Sequence, residues 1–418
     1  MQYASDVAVW PLPVCKPICR LQQKYSAFIT QGISVQHDLI NVDKGVHDTA
    51  TRLVGRNEAW TASMRRLAGG VSDGIDVVTL DNGRLSLEIL PTRGMGIWRG
   101  LFDGVPVKWD SPVERPVHPA FVDQLRRGGI GWLDGFNELI CRCGLGWHGA
   151  PGNDVIRDAD GNTVSEQFLP LHGRIANLAA HRVTVEELGD VIAVKGIVDE
   201  ASLFGGFLRL ESRLTTHVNS SRLEITDIVH NLGSRPAEVE MLYHCNIGRP
   251  FLGEGSALHT AASEVAPRDD RAAEGISMWN LFQGPITGFA EQCYLAKAVA
   301  DSTGWGMALL ADARAERGVC VRFDTSTMPW FVLWKNTQAE ADGYVAGLEP
   351  GSSFPNLRTV ERREGRVILL PAGHSVTFRL SMEVANNHRE VHRLLDEVTA
   401  LQLAHPQLVH SSPKAQWV

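Results

Sequence analysis

The sequence predicts an all-β fold, a sandwich or barrel of antiparallel strands with one late helix. Three observations carry this. Short runs with period-two alternation of apolar and polar residues recur over most of the chain. Tight-turn residues separate them, as in Asp81-Asn82-Gly83 and Asn219-Ser220-Ser221. Helical spacing is seen only near the end, where Val391, Leu394, Leu395, Val398 and Leu401 fall on one face of Asn387–Leu403, before Pro406.

Residues 1 to about 60 mix Pro, Cys and polar residues without sustained periodicity and read as an extension. From residue 61 to 386 a single β domain is expected, followed by the helix and tail over 387–418. Ile75–Leu80 and Arg84–Leu90 flank the Asn-Gly turn, with Leu85, Leu87 and Ile89 inward. Residues 111–172 are dense in Gly, Trp and Pro and read as a long irregular region. Trp132, Phe136 and Trp147 argue for order, so it is expected to be a loop packed over a site. Strands are then predicted at Arg182–Glu187, Val191–Val198, Phe207–Val218 and Arg222–Val229. Residues 251–290 are looser. Further strands fit Cys320–Phe323, Pro329–Trp334, Tyr344–Glu349, Arg366–Leu370 and Ser375–Val384.

A net charge of −8 over 418 residues, with acidic and basic residues interspersed, argues against nucleic acid or an anionic membrane as partner. Seven cysteines, an odd and scattered set, do not form a disulfide framework and point to reduced thiols in a cytoplasmic protein. Neither a second matched cysteine pair nor a His pair at ligand spacing is present, so no zinc site is expected. No apolar run approaches the roughly 20 residues that span a bilayer. The Gly-x-Ser-x-Gly elbow, the phosphate-binding glycine loop and the His-Glu-x-x-His motif are all missing.

Three stretches could carry chemistry. In Ala237–Pro250, Val239, Met241, Tyr243, Cys245 and Ile247 share one strand face, while Glu238, Glu240, Leu242, His244 and Asn246 share the other. An imidazole and an amide thus point the same way at the end of a strand; an ordinary solvated face would read the same. In Tyr344–Gly351, Gly347 and Glu349 share a face, which suits a carboxylate beside a closely approached backbone or a plain surface Glu at a turn. Leu171-His172-Gly173-Arg174 could orient a ligand hydroxyl or simply pack. Arg93 shares parity with Leu85 and Ile89, and is as well explained by a buried structural pair as by a site. Trp330, Val332 and Trp334 form a stripe that suits a core or a sugar platform.

Taken in order, the hairpins, Leu-His-Gly-Arg, Leu-Tyr-His-Cys-Asn-Ile-Gly and Gly-Leu-Glu-Pro-Gly resemble the aldose 1-epimerase, or galactose mutarotase-like, superfamily over roughly residues 60–385. The chain looks closest to a bacterial branch with Arg-Gly-Met and His-Gly-Arg-Ile-x-Asn motifs. The resemblance implies a large antiparallel β-supersandwich with a sugar groove and an enzyme that interconverts the anomers of an aldose or sugar derivative, a reaction for which two acid–base groups suffice and no metal or other cofactor is expected. It also implies His244 as general acid, Glu349 as general base and His172 as the orienting histidine. Substrate-binding candidates are Arg93, Arg127, Asn137, Arg174 and Asn246. Arg93, Arg127 and Arg174 compete for the role of the family's sugar-binding Arg, its Asp has no counterpart placed here, and Gly96 stands where this branch is expected to have Asp. His244 and Glu349 are expected to face each other across a pyranose-sized gap, each tuned by about one unit from its ordinary pKa. The expected partner is a small carbohydrate, bound by a monomer or homodimer. Two other readings use the same groove: a non-catalytic carbohydrate-binding protein, and an isomerase or lyase of an oxidised or phosphorylated sugar.

Overall fold

The structure is a computed structural model and describes residues 35–418 apart from 159. Two sheets dominate, one of ten strands and one of fourteen, with a separate two-stranded hairpin arm at Gly152–Arg157 and Thr163–Leu169. Almost all pairings are antiparallel; the strand pair Ala262–Pro267 and Leu408–Val409 is parallel. The main core lies between the large sheets. Val185, Leu210, Leu214, Ile225 and Leu380 from the ten-stranded sheet meet Leu87, Ile97, Met241, Tyr243 and Leu348 from the other. This is how alternating strands bury one face each.

The sequence-predicted hairpins form, and their registers keep the inward set inward. Asp76–Asp81 pairs with Leu85–Leu90 through the Asn82-Gly83 turn, and Val191–Ala201 pairs with Phe207–His217 along its whole length. The helix is His388–Leu403; the Asn387 side chain caps it by accepting from Glu390 N, and Val391, Leu394 and Val398 are buried.

Two expectations are corrected, and part of the extension is seen to pack on the domain. Residues 111–172 are not all irregular: Ile140–Leu145 is a strand of the large sheet, buried on both faces, and the hairpin arm follows. Within the sequence's extension, Val35–Asn41 joins the ten-stranded sheet beside Arg182–Leu188; residues 1–34 lie outside the described part. The stretch 251–290 contributes the strands Ala257–Thr260 and Ala262–Pro267, and Gln292–Ala298 and Trp305–Ala311 add two unforeseen strands.

One polar network crosses the core. Arg142, fully buried, forms an ion pair with Asp227 of the opposite sheet and donates to Ser212 Oγ and the Met95 carbonyl, while Tyr243 Oη donates to Asp227 at 2.7 Å. Every charge-bearing atom there has a partner, which burial of an ion pair requires.

Candidate active site

The strand Ala237–Ile247, hereafter the histidine strand, lies between Ile140–Leu145 and Val345–Gly351, the glutamate strand. The register pairs Cys245 with Leu348 and Asn246 with Gly347, so position 244 lies across from position 349. On the other side His244 pairs with Cys141. Trp334 pairs with Gly347 from the next strand, Trp330–Asn336. Alternation then does the rest: Met241, Tyr243, Cys245, Ala346 and Leu348 enter the main core, whereas Leu242, Val345, Cys141 and Cys143 enter a second, smaller apolar cluster on the far face.

His244 and Glu349 sit in that second cluster. His244 Nε2 is 3.2 Å from Glu349 Oε1, within ion-pair distance but off the hydrogen-bond direction, so this oxygen has no hydrogen-bond donor among the described residues. The two residues are 5% and 3% exposed. Around His244 stand Phe136, Trp334, His172 and Trp132, with ring centroids 4.9, 5.2, 5.7 and 6.5 Å from its own. The two groups therefore meet, but the expected pyranose-sized gap between them is not there. They touch beneath a cage of aromatic rings.

Asn246 fixes the imidazole. Its Nδ2 donates to the Glu138 carbonyl at 2.9 Å and to the His244 carbonyl at 3.1 Å, which leaves Oδ1 to face His244 Nδ1 at 2.6 Å. A carbonyl oxygen can only accept, so Nδ1 carries the hydrogen and Nε2, the ring nitrogen 3.2 Å from Glu349 Oε1, is left unprotonated. Burial pushes the Glu349 carboxyl well above its ordinary range, with the Glu291 charge adding to it. Burial, and next the nearby His172, push His244 well below its ordinary range. Both directions put the single proton of the pair on Glu349. This is far from the one-unit tuning the sequence suggested. Both N–H groups of Asn246 are thus taken by backbone carbonyls, and its oxygen holds His244.

His172 reaches the cage from a loop, at φ +60°. Its Nδ1 donates to the His148 carbonyl at 2.8 Å, which leaves Nε2 as an acceptor. The protein packed round it lowers its pKa to about 4, so it is neutral at ordinary pH. Behind it runs a buried chain absent from the sequence-derived candidates: His148 Nε2 lies 2.8 Å from Ser353 Oγ, and Ser353 Oγ donates to Glu240 Oε1 at 2.8 Å. Burial raises Glu240 to about 7 and lowers His148 to about 3. Strand parity was the available signal, since Glu240 shares a face with His244.

The other candidates are spread out. Arg93 is buried and bound to Glu138 at 2.6 Å, to the Val117 carbonyl and to Asn177 Oδ1, each at 3.0 Å. It braces the segment whose Glu138 carbonyl receives Asn246. Arg127 is exposed and paired with Asp134 at 2.6 Å. Arg174 is half-buried, and its charge acts on Glu200. Asn137 is buried, with Nδ2 on the Val113 carbonyl, and lines a cleft of about 560 Å³ together with Trp98, Lys108, Trp109 and Glu340. That cleft does not include His244, Glu349 or His172. The rings Trp132, Phe136 and Trp334 were legible only as a loop composition and a tryptophan stripe. Among the described residues no cluster of three or more His, Cys, Asp or Glu is placed to hold a metal ion, and no helix is long and apolar enough to cross a membrane.

The family model described as "Domain of unknown function (DUF4432)" matches residues 72–384. No curated protein matches the chain. Its three-dimensional structure is similar to that of a "putative aldose 1-epimerase" from Klebsiella pneumoniae, with 29% identity, a TM-score of 0.84, and coverage of 91% of this chain and 98% of that one. It is also similar to a galactose mutarotase-like protein from Clostridium acetobutylicum (16% identity, TM-score 0.56, 78% and 98% covered). A third likeness is to galactose 1-epimerase from Lactobacillus acidophilus (12% identity, TM-score 0.51, 78% and 99% covered). At such low identity the last two speak for the fold alone, which is the galactose mutarotase-like sandwich.

Proposed function

The chain belongs to the DUF4432 family, and from that premise we propose that it interconverts the anomers of an aldose or a close sugar derivative, using His244 and Glu349 as an acid–base pair. The observation that carries this reading is the 3.2 Å approach of Nε2 to Oε1 inside an aromatic cage, with Asn246 holding the imidazole in one tautomer. An unpaired carboxyl oxygen beside an imidazole lone pair, both buried, is costly to keep unless it serves chemistry.

The reaction opens and recloses a hemiacetal. In opening, a base takes the proton from the anomeric O1, the C1=O1 double bond forms, the C1–O5 bond breaks and O5 takes a proton from an acid. The family resemblance makes His244 the acid and Glu349 the base. With the resting proton on Glu349, opening starts the other way: Glu349 protonates O5 and His244 Nε2 receives the O1 proton. After rotation about C1–C2, His244 returns a proton to O1 and Glu349 removes one from O5, restoring the starting state. Both oxygens are bonded to C1, so the two side chains need to part by only a few ångströms to bridge them. His172 Nε2 accepts a sugar hydroxyl, and Trp334 and Phe136 pack on the ring. Each positioned acid or base is worth about 10²–10⁴-fold.

The test has two steps. Thermal-shift screening of neutral and acidic sugars identifies a ligand, and NMR exchange spectroscopy then measures its anomer exchange. Glu349→Gln and His244→Ala are expected to lower exchange by about 10²-fold or more while leaving sugar affinity within a few-fold. Binding without any acceleration by the unsubstituted protein would instead identify a carbohydrate-binding protein.

A further inference from the structure

The acid–base pair is buried behind its cage, so the walls that meet solvent govern how a sugar reaches it. Trp132 and Phe136 are buried, whereas His172 and Trp334 are each partly exposed. These two rings are therefore the sides of the cage that a sugar meets. His172 is held by the His148 carbonyl. What holds Trp334 is Glu291, a residue absent from the sequence-derived candidates.

Glu291 stands just before the strand Gln292–Ala298, in which Cys293 pairs with Trp334. Trp334 Nε1 donates to Glu291 Oε2 at 2.7 Å. The other carboxylate oxygen accepts from Arg268 Nη2 at 3.1 Å, and Arg268 is itself paired with Asp269 at 3.0 Å. An indole nitrogen only donates and a carboxylate only accepts, so the direction of the Trp334 bond has no alternative. At its other end the indole leans over Gly347, where an added Cβ would lie 3.1 Å from Trp334 Cε3. The ring is thus set from two sides, by a bare backbone beneath it and a carboxylate at its N–H. Its inner face stays 5.2 Å from the imidazole of His244, centroid to centroid.

The Glu291 side chain is 47% exposed, so this anchor lies on the solvent side of the ring it holds. A partly exposed indole without it would be free to swing away from the cage. Hydrogen bonds to a charged partner favour one arrangement by roughly tenfold or more. We propose that Glu291 is a positioning residue for the sugar: it fixes the Trp334 ring at the open side of the cage, so that an entering sugar meets a ready platform. This rests on the acid–base reading, since the sugar is that of the proposed reaction. A platform ordered in advance spares sugar binding the cost of ordering it. Stacking on the sugar ring is the same in ground and transition states, so loss of the anchor acts on KM rather than kcat. The Glu291 charge also acts on Glu349, and the conservative variant below separates that field from the hydrogen bond.

The experiment uses the full chain and two readouts. The first needs no sugar: the ¹H–¹⁵N signal of the Trp334 indole, assigned by its loss in Trp334→Phe. In Glu291→Leu it is expected to move upfield and to exchange faster with water; in Glu291→Gln, which keeps an acceptor, it should stay near its place. The second is the KM for anomer exchange, with glucose and galactose as probes. Glu291→Leu is expected to raise KM about tenfold, and Glu291→Gln to leave it within a few-fold. In a Trp334→Phe background, which has no indole N–H, adding Glu291→Leu is expected to change KM no further. The proposal is overturned if the indole signal ignores Glu291→Leu, if Gln and Leu raise KM equally or not at all, or if Glu291→Leu has its full effect beside Trp334→Phe. If the unsubstituted protein exchanges neither sugar, the proposal falls with the acid–base reading; an indole signal that still answers to Glu291 then marks the failure as that of the reading and not of the anchor.

Discussion

At the scale of single residues, protonation governs the site. Asn246 can present only its oxygen to His244, so the imidazole is held with Nδ1 protonated and Nε2 bare, and burial keeps the proton on Glu349. Side-chain ¹⁵N NMR at pH 7 should show that tautomer for His244, and Asn246→Asp should disturb it. Anomer exchange should stay flat across neutral pH, with no break near the ordinary histidine pKa of about 6.5; a break there would show a histidine of unperturbed pKa at work. Glu240 supplies a stability test. Its folded pKa of about 7 lies above its unfolded value, so the folded state holds a proton the unfolded chain has released. Its contribution is complete below the unfolded carboxyl pKa and is lost as pH rises through about 7. Glu240→Gln keeps a partner for Ser353 without ionising, and it should stabilise the protein by a few kcal/mol at pH 8 and by little near pH 4. Denaturation midpoints at the two pH values check this; an equal effect at both would contradict it.

At the scale of elements, two strands and the space between them make the site. Gly347 is where that space is tightest: a Cβ there would lie 2.4 Å from Glu349 Oε1 and 3.0 Å from the Trp334 Cβ. The carboxylate is the flexible party, so Gly347→Ala should push it out of place, lowering exchange by about 10²-fold with the fold retained. Circular dichroism and exchange kinetics on one sample check both halves. Much of this element was legible beforehand. Ala237–Ile247 and Tyr344–Gly351 are buried on both faces over most of their length, but their core faces were named correctly because polar residues (Glu238, Glu240, His244 and Asn246 on one strand, Glu349 on the other) mark off the second face. Ile140–Leu145, Gln292–Ala298 and Trp305–Ala311 escaped because their two buried faces carry no such sustained polar alternation. With both faces covered, apolar residues run on without alternation and the signal vanishes. The closed gap and the displaced proton were likewise out of reach, since both follow from rings contributed by Trp132, Phe136 and Trp334, brought in from distant parts of the chain.

At the scale of the whole molecule, the two large sheets are joined by apolar packing and by buried polar contacts, among them the network of Arg142–Asp227 with Tyr243 and Ser212. Cys141 and Cys143 flank Arg142 and face the site, so the network also anchors the strand that forms its floor. Asp227→Ala would leave Arg142 buried without its counter-charge and should cost about 3–5 kcal/mol, measured by urea unfolding; a loss below about 1 kcal/mol would show that the pair is dispensable. The fold thus holds His244 and Glu349 from two sides, with sheet register setting their spacing and the second apolar cluster setting their protonation. The most direct test is the time course of anomer equilibration for freshly dissolved α-glucose and α-galactose, followed by NMR. The protein should speed equilibration of at least one sugar well beyond buffer, and Glu349→Gln should return it close to the buffer rate. Equal rates with the protein, with Glu349→Gln and with buffer alone would contradict an acid–base role for the pair.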